Sequence, residues 1–314
     1  MTEIPRTASL PADAQRSWVD SVPAAVQPWL RLMRLDRPIG IELLFLPCVF
    51  GLALGAAAED RGFGSLHDLH LLGLFVIGAI AMRGAGCTYN DIIDRDIDAM
   101  VARTRGRPIP SGAVSLRGAW LFTALQCAIG LAVLLQLNIF SLLLGAGSLV
   151  LVALYPFMKR ITWWPQAWLG LTFNWGALLG FSAATGHLTL PAFLLYAGCF
   201  FWTLGYDTIY AHQDREDDAL IGVKSTARLF GAQSRLWIGI FYLAALCLFL
   251  TADARFNPGF VILLLGAGAH LLWQVRRLDI DNPALCLKIF RANRDVGAII
   301  ALAYLAGAWL PGAV

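Results

Sequence analysis

The stretch Asn90–Asp91–Ile92–Ile93–Asp94–Arg95–Asp96–Ile97–Asp98 follows the apolar run 71–89 and leads into Arg103–Thr104–Arg105–Gly106–Arg107–Pro108. An apolar run of about 20 residues crosses a bilayer as a helix. The stretch therefore reads as a membrane helix that ends in carboxylates and then a basic loop. Carboxylates beside lipid are costly and point to function. A second cluster, Asp214–Arg215–Glu216–Asp217–Asp218, stands in the same relation to the apolar run 191–210. Two such helix ends suggest one shared site.

The rest of the chain agrees with a membrane setting. It is 58% hydrophobic and 14% charged, which excludes an ordinary soluble globule. Nine segments are long and apolar enough to span: 38–58, 71–89, 118–137, 139–157, 165–185, 191–210, 236–253, 258–275 and 296–310. The very short connection at Asn138 predicts a tight antiparallel helix pair. With the N-terminus in the cytoplasm, all but three of the 24 Lys and Arg residues fall on the cytoplasmic side or in the tail that precedes the first span. The exceptions are Arg61 and Arg255, outside, and Arg83, within a span. The positive-inside rule fixes this orientation. Both acidic clusters then face the cytoplasm, and an odd number of spans puts the C-terminus on the far side.

The expected fold is an all-α integral membrane bundle of nine helices. Residues 1–30 read as a loose cytoplasmic tail, and 31–314 as one transmembrane domain. The tail lacks an apolar signal core, and Glu3 and Asp13 argue against an organellar leader. A multi-pass protein of a cell inner membrane is expected. The recurrence of an acidic helix end and basic loop after four helices suggests two related halves. The six cysteines are scattered with no CxxC pair, so no haem, zinc or disulfide framework is indicated.

The chemistry lies in the spacing. Asn90, Asp94 and Asp98 are i, i+4, i+8 and share one helical face. Asp91 is offset by one position, and Asp96 is expected to face away. Oxygen-bearing side chains on one face suit Mg2+, which takes one or two carboxylates, keeps waters and accepts phosphate oxygens. The bland alternative is a solvated helix end whose acids balance nearby arginines. Asp214 and Asp218 are again i, i+4, and Asp207 precedes Asp214 by seven. Two acid pairs brought together without cations would repel, and a divalent metal removes that objection. A diphosphate would then bridge metal and protein, with Arg103, Arg105, Arg107 and Lys224 placed to neutralise its outer oxygens. Tyr155 and Lys159, at i, i+4 near a helix end, add a hydroxyl and a cation; a snorkelling lysine beside an interfacial tyrosine is the alternative. Arg34 and Arg37, before the first span, and the intramembrane Arg83 are candidates for an acidic second substrate, with Asp207 beside them. Interfacial anchoring and a structural ion pair are the competing readings.

At these residues the chain resembles the UbiA family of membrane prenyltransferases. The family's NDxxDxxxD motif is matched by Asn90, Asp91, Asp94 and Asp98, its DxxxD motif by Asp214 and Asp218, and its YxxxK element by Tyr155 and Lys159. The stretches 34–40, 82–87, 103–112, 205–210 and 214–226 fit the members that use 4-hydroxybenzoate as acceptor. The resemblance covers the chain from about Arg31 onward. It implies a helical bundle around a cavity open to lipid, a requirement for Mg2+, and transfer of a polyprenyl group from polyprenyl diphosphate to position 3 of 4-hydroxybenzoate. It implies metal ligation by Asn90, Asp91, Asp94, Asp98, Asp214 and Asp218, with Asp94, Asp98, Asp214 and Asp218 in the catalytic centre. Homogentisate, dihydroxynaphthoate or haem are the sibling acceptors. An ion-coupled transporter is the alternative class, but its carboxylates would sit near the bilayer midplane rather than at helix ends.

Overall fold

The computed structural model describes residues 17–100, 104–220 and 222–309, with the side chains of 217 and 218 left aside. Every regular element among them is a helix. In order they are α1 (Gln27–Leu32), α2 (Ile39–Ala58), α3 (Leu66–Met100), α4 (Leu116–Leu134), α5 (Ile139–Ile161), α6 (Pro165–Phe173) and α7 (Trp175–Thr185). There follow α8 (Leu190–Ala211), α9 (Arg215–Leu220), α10 (Thr226–Phe230), α11 (Ser234–Ala252), α12 (Pro258–Arg277), α13 (Pro283–Arg291) and α14 (Asn293–Trp309). The chain forms an all-helical, multi-pass membrane protein. Among the described residues six helical stretches are long and apolar enough to cross a bilayer: α2, α3, α4, α5, α12 and the stretch Thr226–Ala252 that contains α11. Leu121, Leu125, Leu143, Leu243 and Leu265 on these helices are exposed, a surface suited to lipid tails rather than water.

Each of the nine expected segments is helical, but three fall short of a simple span. α14 has 17 residues. α8 ends in the polar run that carries Tyr206 and Asp207. The segment expected as one helix over 165–185 is broken at Asn174 into α6 and α7. The cause is local competition for hydrogen bonds. The Asn174 amide donates to Gly170 O at 2.8 Å and to Thr203 Oγ1 at 2.6 Å. The backbone at Asn174 leaves helical geometry, with φ −97° and ψ 7°.

The chain divides into two compact units, one of residues 1–40 and 80–130, the other of 41–79 and 131–314. These units do not coincide with the two halves suggested by the repeat. The first has its own core of Leu32, Ile92, Ile109, Val114 and Ala119, with Trp29 and Phe122 packed against it. That core ties α1, the end of α3, the loop after it and the start of α4 together, and so fixes where the acidic end of α3 lies.

In the second unit α2 and α7 approach so closely that a Cβ on Gly51 would lie 2.0 Å from Ala177 O, and one on Gly180 2.2 Å from Cys48 O. Such backbone contact between apolar helices needs small residues. Phe50, Phe249, Phe260 and Tyr304 form an aromatic cluster, and the Tyr304 hydroxyl donates to Phe249 O at 2.9 Å. A buried polar chain runs through the same unit. Trp202 Nε1 donates to Asn293 Oδ1 at 2.9 Å, and Asn293 Nδ2 and Tyr242 OH both donate to Gln274 Oε1. Paired in this way, the groups escape the cost of burial in an apolar interior. The tight turn expected at Asn138 is present: its side chain caps α5 by accepting from Ser141 N at 2.9 Å and donates to Ser182 O at 2.8 Å.

Candidate active site

In the first unit the candidate residues lie on and around the end of α3. α3 has 35 residues, about 52 Å at 1.5 Å per residue, and exceeds the roughly 30 Å apolar thickness of a bilayer. Its last turns can therefore carry polar side chains clear of the hydrocarbon without breaking the helix. On those turns the buried acids are Asp91, Asp94 and Asp98, with Asp91 and Asp94 each 1% exposed. The spacing i, i+3, i+7 puts them on one face. The face read from the sequence was centred on Asn90, Asp94 and Asp98. Asp91, offset from that face, is buried, and Asn90 is half-buried. Asp96 faces away as expected, exposed and paired with Arg95 at 3.3 Å.

Asp91 is the hub. Arg34 Nη2 reaches both of its oxygens, at 2.7 and 2.8 Å, and Arg107 Nη1 lies 3.3 Å from Oδ1. The same Arg107 nitrogen donates to Asp98 Oδ2 at 2.9 Å. Two guanidinium groups thus lie across the acidic face, each able to turn a planar edge to a phosphate. Arg34 takes a left-handed backbone, φ 60°, a strained conformation for a residue with a side chain. Arg107 is delivered by a folded loop. Thr104 Oγ1 donates to Asp98 O at 2.9 Å, Arg107 N to Thr104 O at 2.9 Å, and Gly112 closes the turn at φ 77°. Arg105 in this loop is exposed, and Arg103 lies outside the described residues. Arg37 pairs with its neighbour Asp36 at 3.0 Å. Arg83, further back on α3, is half-buried and rests against Gly40.

In the second unit the candidate residues lie at the end of α5 and from the end of α8 onward. Tyr155 and Lys159 are half-buried near the end of α5. Lys224 is fastened to that end: its backbone N donates to Lys159 O at 3.0 Å and its Nζ to Ile161 O at 3.1 Å. A lysine at a helix C-terminus satisfies a free carbonyl and suits the helix dipole. The segment after it is held by Thr226 N donating to Gln166 Oε1 at 3.0 Å and by Thr226 and Thr208 hydroxyls 2.7 Å apart. Arg228 donates to Val223 O and stacks on Trp163, with the guanidinium carbon 5.3 Å from the ring centroid.

Asp207, Asp214 and Asp218 do not lie on one uninterrupted α-helix, as their spacing suggested. α8 ends at Ala211, a 3-10 turn covers His212–Asp214, and α9 begins at Arg215. The turn is pinned by His212 Nε2 against Ser234 Oγ at 2.9 Å and by Gln213 Nε2 donating to Tyr210 O at 3.1 Å. Burial, aided by the Arg215 charge, brings His212 down to about 4, so its ring is neutral at pH 7. Asp207 and Asp214 are half-buried, and the side chain of Asp218 lies outside the described residues.

The donor set fits Mg2+ by its chemistry. The buried face of α3 offers hard carboxylate oxygens, with the Asn90 amide beside them. Among the described residues no three His, Cys, Asp or Glu side chains converge on a ready-made cage. Mg2+ does not need one, since it binds through one or two carboxylates, waters and substrate phosphate. Asp91 is spanned by Arg34, and Asp98 accepts from Arg107.

Residues 44–304 match the UbiA prenyltransferase family. The chain is 50% identical over 293 residues to mitochondrial 4-hydroxybenzoate polyprenyltransferase of Bos taurus, covering 92% of this chain and 77% of that protein. Its fold is similar to the apo structure of a UbiA homolog from Aeropyrum pernix K1, with TM-score 0.69 and 27% identity over 83% of this chain and 96% of the other. It is also similar to a UbiA homolog from Archaeoglobus fulgidus bound to GPP and Mg2+, with TM-score 0.67, 21% identity, and coverage of 89% and 98%.

Proposed function

This chain belongs to the UbiA prenyltransferase family, and from that premise we propose that it transfers a polyprenyl group from polyprenyl diphosphate to position 3 of 4-hydroxybenzoate, a step of ubiquinone synthesis. The observation that carries the reading is the buried Asp91–Asp94–Asp98 face of α3 with Arg34 and Arg107 laid across it. Half identity to a relative of that named activity supports the acceptor.

Asp94 and Asp98, with Asn90, would hold Mg2+, as would Asp214 and Asp218. Bound Mg2+ supplies charge that stabilises the leaving diphosphate. Arg103, Arg105 and Arg107, with Tyr155 and Lys159, take its outer oxygens, and Lys224 holds the end of α5 in place for them. Donors already oriented before the reaction give their stabilisation where negative charge develops. The C–O bond to the prenyl group breaks, and the ring carbon beside the phenol oxygen attacks the allylic carbon. An aspartate then takes the displaced ring proton, and Asp207 contacts the aromatic substrate. Arg83, with Arg34 and Arg37 near the chain's entry to α2, takes the acceptor's carboxylate. Apolar walls keep water from the allylic cation.

The same reading has nine membrane crossings, with α6 and α7 forming one broken span. Residues 31–314 form one catalytic domain after a cytoplasmic N-terminal tail, in an inner membrane with the site facing the cytoplasm. The distribution of Lys and Arg supports that orientation. The test is prenyl transfer by the purified protein in lipid, with labelled 4-hydroxybenzoate, geranyl diphosphate and Mg2+, and an EDTA control. A lipid-soluble labelled product that EDTA abolishes is expected. Transfer to homogentisate instead would move the acceptor, and no transfer by folded protein would overturn the function.

A further inference from the structure

Gly40 lies in the first turn of α2, buried, and the Arg83 side chain passes directly over it. A Cβ built on Gly40 would lie 2.5 Å from Arg83 Nε, 2.8 Å from Nη2 and 2.9 Å from Cζ. These are the tightest contacts of the first unit that involve a charged group, and they fall on the end of a flexible side chain. By contrast, a Cβ on Gly51 or Gly180 would meet backbone atoms at 2.0 and 2.2 Å. A methyl at Gly51 or Gly180 would have to push α2 and α7 apart. A methyl at Gly40 would only have to push a guanidinium aside.

The first turn of a helix carries unpaired N–H groups and the positive end of the helix dipole, and a cation there is disfavoured. Glu42, the acid of that turn, is 4.0 Å from Arg294. An anion beside Arg83 would meet both the guanidinium and the helix end.

We infer that Gly40 is a positioning residue: by lacking a side chain it sets where the Arg83 guanidinium lies, and thereby the affinity for the anionic group of the acceptor. The inference rests on the reading that Arg83 takes the acceptor's carboxylate. Gly40→Ala keeps the fold and moves the guanidinium by roughly the 1 Å that separates 2.5 Å from an ordinary contact of about 3.5 Å. A misdirected charged hydrogen bond of this kind weakens binding about tenfold.

The experiment is a double-mutant cycle with Gly40→Ala, Arg83→Ala and the double variant, measuring kcat and KM for 4-hydroxybenzoate and for geranyl diphosphate separately. Gly40→Ala is expected to raise KM for 4-hydroxybenzoate about tenfold with KM for geranyl diphosphate unchanged, and to add nothing once Arg83 is Ala. A role in packing alone would alter both KM values or add to the loss in the Arg83→Ala background, and either result overturns the inference. So does an unchanged acceptor KM in Gly40→Ala when Arg83→Ala raises it. If Arg83→Ala itself leaves the acceptor KM unchanged, the reading of Arg83 fails, and Gly40 with it.

Discussion

Asp68 and Asp91 lie near the start and near the end of the same helix, α3, and each is buried against an arginine. Asp68 accepts from Arg61 Nη1 at 2.8 Å, and also from the backbone N–H groups of Gly64 and Ser65 and the Ser65 hydroxyl. Its own loop closes the charge, and the result is a helix cap. Asp91 is met instead by two long side chains, Arg34 and Arg107. No backbone step is needed for those arms to turn toward another anion. The same chemical pair thus serves as a fastening at one end of the helix and as a poised ligand cradle at the other. What separates them is the source of the donors, not the burial of the acid.

The comparison breaks if its two ends respond alike to substitution. The largest effect is expected at the catalytic end: Asp94→Ala should lower kcat by about two to three orders of magnitude, the usual cost of removing one transition-state stabiliser, with a thermal unfolding midpoint near that of the parent. Steady-state kinetics beside a thermal melt in the same detergent checks this. Near-normal turnover would remove Asp94 from the metal site. At the other end, Asp68→Ala should cost about 3 kcal/mol of stability by leaving Arg61 uncompensated, while the folded fraction keeps its specific activity. Denaturant titration with activity per folded molecule reads both.

Asp91→Asn sharpens the contrast. It should raise KM for the prenyl diphosphate about tenfold by releasing Arg107 from its position, and leave the Mg2+ concentration for half-maximal rate unchanged. A shifted Mg2+ requirement would return Asp91 to the metal ligands. The smallest effect is expected at Asp96→Asn, whose exposed partner Arg95 makes a weak pair. Activity and melting point should both stay within error of the parent.

Much of this was legible in the chain, and the misses have definite causes. The expected apolar segments are helical, with 165–185 broken in two, because length and hydropathy suffice to demand helix in a bilayer. The break at Asn174 was not legible, because it depends on Thr203, which is 29 residues away and brought close only by the fold. The spacing of Asp94 and Asp98 on one helical face was legible. A helical wheel admits both Asn90–Asp94–Asp98 and Asp91–Asp94–Asp98, and the choice is made by Arg34, 57 residues earlier in the chain. Lys224 is expected to neutralise outer oxygens of a diphosphate; that its Nζ also donates to Ile161 O at the end of α5 was not legible, since a helix end leaves carbonyls that no sequence spacing displays. Gly40 carries no chemistry of its own and becomes informative only when Arg83 is seen to lie on it.

The central claim is that the α3 acids act through a metal-bound diphosphate. The most direct measurement is equilibrium binding of a non-reactive prenyl thiodiphosphate, with and without Mg2+, to the parent, Asp94→Asn and Asp91→Asn. Binding that requires Mg2+ in the parent, keeps that requirement in Asp91→Asn and is lost in Asp94→Asn is the predicted result. Binding indifferent to Mg2+, or undiminished in Asp94→Asn, would contradict it.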